Sequence, residues 1–220
     1  NRQGQLFTFL QALYADSLTA KRKAQVYQGT AESLIKKIGF ERAIIFRKIN
    51  EHFVPVASRG YGDNIDMAHL ADPFFITNES SPGVLGNDES LIPEAFRELF
   101  DVRFFIASPI VERRETSHVL FVGNRSEDTL IHPPITEASL PLIRTLAQMI
   151  AVAIDRIEVD EALRQSEEEY RTLLENLTAG VFRTVLFPKP RFVRVNRAAA
   201  TICGYESVDE FLQNTPDSIY

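Results

Sequence analysis

Four histidines and a single cysteine are the side chains of this 220-residue chain that most readily take part in catalysis. His52, His69, His118 and His132 fall in a predicted turn, a loop, a strand and a position before proline, and the cysteine is Cys203. No Ser-His-Asp or Cys-His set has local support, and no G-x-x-x-x-G-K-S/T phosphate loop occurs. We therefore predict no catalytic residues and no enzymatic activity for this chain.

One acidic loop contains oxygen and nitrogen groups that could bind a metal ion. Asp63, Asp66, His69 and Asp72 lie close together in sequence, but their spacing matches neither zinc nor calcium patterns. Such a cluster is more often a solvated loop, so no metal site is predicted. Because Cys203 is the only cysteine, an intrachain disulfide is excluded, and this cysteine usage suits a reducing compartment.

Composition and charge exclude further classes of function. The chain is 45% hydrophobic and 25% charged, which is typical of a globular protein with a buried core. Its 24 basic and 30 acidic residues give a net charge of −6, which provides no electrostatic footprint for nucleic acid or an anionic membrane. No apolar stretch approaches the ~20 residues of a membrane helix, and the start has no signal-peptide organisation. We expect a cytoplasmic piece of a longer protein that contacts neither nucleic acid nor membrane.

Periodicity predicts helices followed by a β-hairpin in the first 60 residues. Residues 5–38 carry two apolar stripes at helical spacing, and Gly39 follows the second stripe where a C-cap glycine belongs. Two short segments rich in β-branched and aromatic residues follow, 42–49 and 53–58. Pro55 has no N–H for a sheet and therefore indicates an edge position or a bulge in the second strand.

A second hairpin is separated from the first by a long irregular connection. Residues 60–103 are punctuated by glycine and proline, and only 93–101 are predicted to be helical, with proline in the first turn. Connections of this length often form binding loops or lids. The segments 103–111 and 117–124 follow as strands, and their continuous apolar residues predict burial on both faces of a sheet.

A long helix is predicted to begin at Thr136, and no glycine or proline interrupts residues 142–179. Its first part has an apolar face for packing on the sheet. The exposed positions of 155–175 carry eight acids and three bases, and only a narrow seam is apolar. A helix of this kind usually needs a partner helix, so we predict a parallel homodimer. The predicted seam consists of Val152, Val159, Leu163, Tyr170, Leu173 and Leu177.

After Gly180 the pattern predicts a second, smaller unit. Residues 180–196 are typical of two strands and 197–214 of two short helices, the second with Ser207 as its N-cap. Two strands and two short helices do not close a core, so this unit is expected to be incomplete.

Two family resemblances follow from these patterns. Residues of roughly 20–160 resemble a GAF domain in the order helix, hairpin, long variable segment, hairpin and helix, and in the piece FRELFDVRFFIASPIVERRETSHVLFVGN at 96–124. Residues 167–220 resemble the first half of a PAS domain, because Tyr-Arg-x-Leu-x-Glu-Asn, Asn-Arg-Ala and Gly-Tyr occur in that order. The second resemblance is the more specific of the two.

These resemblances imply an α+β chain: a GAF-like antiparallel sheet flanked by helices, a long connecting helix and an incomplete PAS-like α+β unit. The implied domains are an N-terminal helix at 1–19, a GAF-like sensory domain at 20–154, a signalling or coiled-coil linker helix at 155–178 and a truncated PAS-like domain at 179–220. Such modules commonly precede histidine kinase or diguanylate cyclase domains in bacterial signal transduction, two-component systems included. A cytoplasmic sensory input module is therefore implied, and a dimerisation scaffold without a ligand is the open alternative.

Within the GAF-like part, a small-molecule pocket is expected between the sheet and residues 60–103. Bilin-binding members attach the chromophore through a cysteine of the GAF unit, and Cys203 lies outside that unit, so no covalent bilin is expected. The cofactor stays open otherwise, and Cys203 is expected to be buried on its short apolar helix. The alternative for the pocket is that its aromatic residues belong to the core and its arginine forms a surface ion pair. The pocket candidates are Arg59, Tyr61, Phe74, Phe75, Phe104 and His118.

Overall fold

The structure is a computed structural model that divides into two compact units, residues 1–158 and 159–220. Most of the predicted N-terminal helix at 1–19 lies outside the described residues, as do Phe74, Phe75 and the acidic loop from Asp63 to Asp72. The residues that the structure describes are 11–13, 15–16, 19–50, 52–61, 84–86, 94–112, 114–125 and 131–216.

The first unit is built on a five-stranded antiparallel sheet with β1 (Arg42–Ile49), β2 (His52–Arg59), β3 (Val84–Gly86), β4 (Phe104–Glu112) and β5 (Glu115–Asn124). The strand order is β2-β1-β5-β4-β3. The two predicted hairpins, β1–β2 and β4–β5, are confirmed. β3 lies in the segment that was expected to be irregular, because three residues are too few to show the alternation of a strand. It forms through tertiary pairing, in which Val84 lies opposite Ala107 of β4.

Pro55 occupies a β-bulge, as predicted from its missing N–H. Strand β2 is at the edge of the sheet, and Ala57 pairs with Ile45 whereas Pro55 pairs with Phe46. One extra residue, Val56, therefore stands in β2 between two consecutive positions of β1. An edge strand with a bulge is one of the few places where a sheet accepts proline.

Helices cover one face of this sheet and form the larger core with it. The described helices of the unit include α1 (Lys23–Ser33), α2 (Glu94–Phe100) and the first part of α3 (Leu140–Asn176), which follows a 3-10 turn. α1 and α3 pack on this face, whereas Phe96 and Phe100 of α2 pack on the opposite face. The chain leaves α1 through a π-helical turn, and Gly39 ends it with a φ of 95°, which confirms the predicted C-cap. Leu34, Ile45, Leu120 and Ile150 are among the fully buried side chains between the helices and the sheet.

The character of α3 changes along its length. Its residues between Ile143 and Ile157 bury the face that the sequence predicts, whereas every residue from 159 to 176 is exposed except Leu174, which is half-buried. We expected no segment of membrane-spanning length. By length and composition alone, however, this helix is long and apolar enough to cross a membrane. Most of its apolar residues up to Ile157 lie in or against the core of the first unit, whereas Val152 is exposed.

The second unit contains the four elements predicted for it: β6 (Phe182–Val185), β7 (Arg191–Val195), α4 (Arg197–Ile202) and α5 (Val208–Leu212). The hydroxyl of Ser207 accepts the N–H of Glu210 at 3.1 Å, which confirms the predicted N-cap of α5. Contrary to expectation, a small core does close, because the Phe211 ring packs 4.7 Å from Phe192 and 5.0 Å from Tyr205. Its buried members are Phe192, Val195, Ala199, Ala200 and Phe211.

The buried side-chain amide of Asn196 hydrogen-bonds to three segments of the second unit. Its Oδ1 accepts the N–H groups of Val181 at 2.8 Å and Ala199 at 3.0 Å. Its Nδ2 donates to the carbonyls of Leu174 at 3.0 Å and Ala179 at 2.9 Å. The end of α3, the start of β6 and the N-terminus of α4 therefore share one hydrogen-bonding centre, and displacing any of them would leave a buried polar group without a partner.

Cys203 is exposed, which contradicts the expectation of a buried thiol. It is the C-cap residue of the six-residue helix α4, whose buried face consists of Ala199 and Ala200. The neighbouring Ile202 is 66% exposed, so the apolar composition of this segment does not translate into burial at its end.

Candidate functional site

The structure separates the predicted pocket residues. His118 lies on the face of the sheet that the helices cover, since its ring contacts Tyr27 of α1, and Phe104 packs against the same core. Tyr61 follows β2 and packs against the aromatic side chains of the opposite face. Arg59 is exposed at the end of β2. The four described candidates therefore do not line one common site.

Strand alternation is the physical reason for this separation. Successive side chains of a strand point to opposite faces of a sheet. On β4, Phe105 and not Phe104 therefore packs on the aromatic face. On β5, Val119 and Phe121 pack on that face, whereas His118 lies on the other one. The continuous apolar runs of β4 and β5 predict burial on both sides but do not indicate which residue takes which side.

Phenylalanine rings from α2 and from the strands pack together on the face opposite α1 and α3. The ring centroids of Phe96 and Phe100 are 4.4 Å apart, and Phe121 lies 5.0 Å from Phe100 and 5.4 Å from Phe105. These spacings are those of packed aromatic pairs. Gly86 of β3 fits closely over this cluster, because a Cβ atom there would lie 2.1 Å from the Phe105 ring. The described part of this face is thus packed core, which favours the alternative interpretation of the aromatic residues.

A buried polar network lies on the helix-covered face, and the sequence analysis identified only one of its members. His118 Nε2 is 2.8 Å from the Tyr27 hydroxyl, and its Nδ1 is 2.9 Å from Ser117 Oγ and 3.3 Å from a carboxylate oxygen of Glu112. A carboxylate only accepts hydrogen bonds, so this arrangement favours a proton on Nδ1 and donation from Tyr27 to Nε2. Tyr27 and His118 are 91 positions apart, so no local pattern could have paired them.

Burial and hydrogen bonding set the protonation states in this network. Burial, opposed by the charge of Arg47, raises the pKa of Tyr27 to about 12, so its hydroxyl remains a donor at neutral pH. Burial also raises the pKa of Glu112, but hydrogen bonds from His118 and Ser117 outweigh it, and the pKa lies below its usual value. Because Tyr27 is 4% and His118 3% exposed, we assign the network a structural role linking α1 to the sheet.

Tyr27→Phe is expected to make stability less sensitive to alkaline pH. Tyrosine has a pKa of 10.0 when unperturbed and about 12 here, so between these values the unfolded chain has lost a proton that the folded chain keeps. The free energy of unfolding therefore falls as pH rises through this window. On going from about pH 8 to pH 11, we expect the parent to lose about 1 kcal/mol more than the variant. Denaturant unfolding curves at both pH values would measure this, and equal losses would contradict it.

Tyr61 is held at the edge of the aromatic face by a charged cluster. The Arg42 guanidinium lies 5.1 Å from the centroid of the Tyr61 ring and donates to Asp101. The other carboxylate oxygen of Asp101 is 3.1 Å from Arg125 Nε. Burial, the largest influence, raises the pKa of Tyr61 well above its usual value, and its buried hydroxyl makes no hydrogen bond within the described residues. The four residues of this cluster lie at the start of β1, before β4, after β5 and after β2, which is the same end of the sheet.

The predicted seam of α3 is exposed in the structure. Its six side chains are between 45% and 67% exposed, and the last of them, Leu177, directly follows the end of α3 at Asn176. They recur at intervals of seven, four, seven, three and four residues, as in a coiled coil. Tyr170 also lies beneath the Arg194 guanidinium, 5.0 Å from the ring centroid. Exposure makes this stripe available for a partner helix, and the dimer itself stays a prediction.

Among the residues that the structure describes, no three histidine, cysteine, aspartate or glutamate side chains are close enough to hold an ion. The acidic loop from Asp63 to Asp72 falls outside them.

Comparison with known sequences finds one family match, within the second unit. Residues 168–220 match the sequence model of the PAS domain. No curated protein matches the chain in sequence.

Comparison with solved structures finds GAF domains among the similar folds. The GAF domain of a phosphoenolpyruvate-protein phosphotransferase from Coxiella burnetii is 16% identical, with a TM-score of 0.59 over 74% of this chain and 99% of that one. A GAF domain described as part of a sensor histidine kinase from Pseudomonas syringae pv. tomato is 12% identical, with a TM-score of 0.53 over 75% and 97%. The free methionine-R-sulfoxide reductase of Neisseria meningitidis is 12% identical, with a TM-score of 0.59 over 73% and 94%.

These likenesses and the architecture agree. The first unit has the α+β fold of a GAF domain, with an antiparallel sheet flanked by helices, and the chain continues into a PAS domain segment.

Proposed function

We propose that this chain is the sensory input module of a cytoplasmic signal-transduction protein and that it works as a homodimer. The observation that carries the proposal is α3. It is one uninterrupted helix whose first part belongs to the GAF fold and whose last part belongs to the PAS segment. Between them it carries a stripe of exposed apolar residues with acidic neighbours, which is the composition of a helix that pairs with another helix.

The proposed mechanism is a change in the helix pair. A ligand or partner that binds two states of the first unit with different affinity would bias α3 toward one register or rotation. Asn196 supports a relay into the PAS segment, because its amide hydrogen-bonds to the last turn of α3 and to the N-terminus of α4. The output domain, of histidine kinase or diguanylate cyclase type, would lie outside this sequence.

The input is proposed to be a small molecule or a protein partner rather than a substrate. One structural neighbour is a reductase, but at 12% identity the likeness concerns the fold and not the chemistry. The GAF unit has no cysteine for a covalent bilin, because Cys203 lies in the second unit. We therefore propose no enzymatic activity for the chain itself.

A ligand-free dimerisation scaffold is the second candidate function. The packing of Phe96, Phe100, Phe105 and Phe121 favours it, because these rings occupy the face on which a pocket was expected. Thermal unfolding in the presence of a small-molecule library distinguishes the two candidates, since a ligand that binds only the folded state raises the melting temperature. A reproducible increase would support the sensor, and none across the library would support the scaffold.

Native mass spectrometry of the 220-residue chain tests the dimer and the ligand together. A species at twice the chain mass of 24.9 kDa is the expected result. Additional mass on that dimer would support a ligand-binding sensor and begin to identify the ligand. A dimer of bare chains would support the scaffold, and a monomer would contradict the helix pairing.

A further inference from the structure

A cleft of about 200 Å³ opens in the second unit, between the last turns of α3 and the strands β6 and β7. Its wall combines apolar and charged side chains in close proximity. Tyr170 and Phe182 supply aromatic surface, and Arg171, Arg183 and Arg194 supply guanidinium groups. All five residues belong to the unit of residues 159–220, so the cleft is a feature of that unit alone.

The charge of this cleft is opposite to the charge of the chain. Glu175 is the single acidic residue among those that line it, against three arginines, whereas the whole chain has a net charge of −6. Neither Arg171 nor Arg183 forms an ion pair within the described residues. A concentration of guanidinium groups without carboxylate partners attracts an anion.

The aromatic residues determine what kind of anion would fit. The Arg194 guanidinium already lies 5.0 Å from the centroid of Tyr170, which places a cation directly beside a ring face. A planar ligand could extend this stack, since guanidinium groups stack on aromatic faces and bind carboxylate or phosphate oxygens in pairs. The volume is below the ~300–1,000 Å³ typical of larger organic ligands. A single ring with one anionic substituent is therefore the class of molecule that matches.

We propose that this cleft is a binding site for a small aromatic carboxylate or phosphate ester. The anionic group would bind Arg183 and Arg194, and the ring would pack against Tyr170 and Phe182. This site is separate from the GAF unit. Tyr170 also belongs to the predicted seam of α3, so the proposed ligand lies on the side of this ring that faces Arg194. It places a ligand against the last turns of α3, where Leu174 also hydrogen-bonds to Asn196.

Isothermal titration of the 220-residue chain with four probes tests this proposal. The probes are benzoate, phenyl phosphate, inorganic phosphate and benzyl alcohol. Binding of benzoate or phenyl phosphate at least about tenfold tighter than of the other two is the expected result, because only the first pair offers both a ring and an anion. The tighter of the two identifies carboxylate or phosphate as the preferred anion. Equal binding of all four, or no heat with either aromatic anion, would overturn the proposal.

A pair of arginine variants locates the site. The double variant Arg183→Gln with Arg194→Gln should raise the dissociation constant of the aromatic anion at least about tenfold. Arg191→Gln with Arg197→Gln is the matched control, because these arginines are exposed in the same unit but do not line the cleft. Circular dichroism verifies that both variants fold, as expected for exposed side chains. Equal losses in the two double variants would show general charge attraction and contradict a site at this position.

Discussion

The double variant Val159→Glu with Leu163→Glu is expected to be monomeric at concentrations where the parent chain is a dimer. These side chains are 52% and 59% exposed in the single chain, and each would be covered by a partner helix in the dimer. Substitution removes four apolar side chains from the interface and adds four carboxylates to a helix that is already acidic. Burial of a Val or Leu contributes about 1.5–3 kcal/mol, so the dissociation constant should rise at least about a hundredfold.

The matched control adds the same charges to another side of the helix. Gln165→Glu with Thr172→Glu changes two exposed positions that are not part of the seam. Sedimentation equilibrium or light scattering of both double variants measures the mass. We expect the control to remain a dimer, and a dimer with both glutamates at Val159 and Leu163 would show that the seam is not the interface.

The second large effect is expected from Phe121→Ala in the aromatic face of the GAF unit. Phe121 is fully buried at the centre of the cluster, with Phe100 at 5.0 Å and Phe105 at 5.4 Å. Removal of a buried phenylalanine ring leaves a cavity and costs about 3–5 kcal/mol of unfolding free energy. In a domain of this size, such a loss corresponds to a decrease of about 10 °C in Tm.

Phe187→Ala provides the comparison, because the same atoms are removed from a side chain that is 85% exposed. Its unfolding free energy should remain within about 0.5 kcal/mol of the parent value. Calorimetry and denaturant titration of both variants measure the difference. If Phe121→Ala were as mild as Phe187→Ala, the aromatic face would be loosely packed, and a ligand cavity there would become the better interpretation.

Local sequence signals predicted most of the elements correctly. Short segments rich in β-branched and aromatic residues predicted β1 and β2, continuous apolar runs predicted β4 and β5, and helical spacing predicted α1 and α3. Three single residues predicted local features of the backbone. Gly39 predicted a helix C-cap, Pro55 predicted a bulge and Ser207 predicted a helix N-cap. These features depend on backbone dihedral preferences and on hydrogen bonds to near neighbours, which is why the sequence alone is sufficient.

The candidate site could be predicted only in part. The predicted seam residues of α3 are exposed, and helical periodicity specifies which side chains share a face. Their role in a dimer stays a prediction. The described pocket candidates lie on both faces of the sheet, because the contiguous apolar runs of β4 and β5 do not indicate which residue takes which face. The choice of Phe104 instead of Phe105 follows directly from this ambiguity.

The sequence by itself determined the order of most elements, the caps at Gly39 and Ser207, and the apolar stripe of α3. Only the tertiary structure decided which residues meet: Tyr27 with His118, β3 with β4, and Asn196 with the end of α3. The physical reason is the distance along the chain over which each kind of interaction acts. Propensity and periodicity act between residues a few positions apart, whereas a buried network or a cleft forms between side chains that the folded backbone brings together from distant positions.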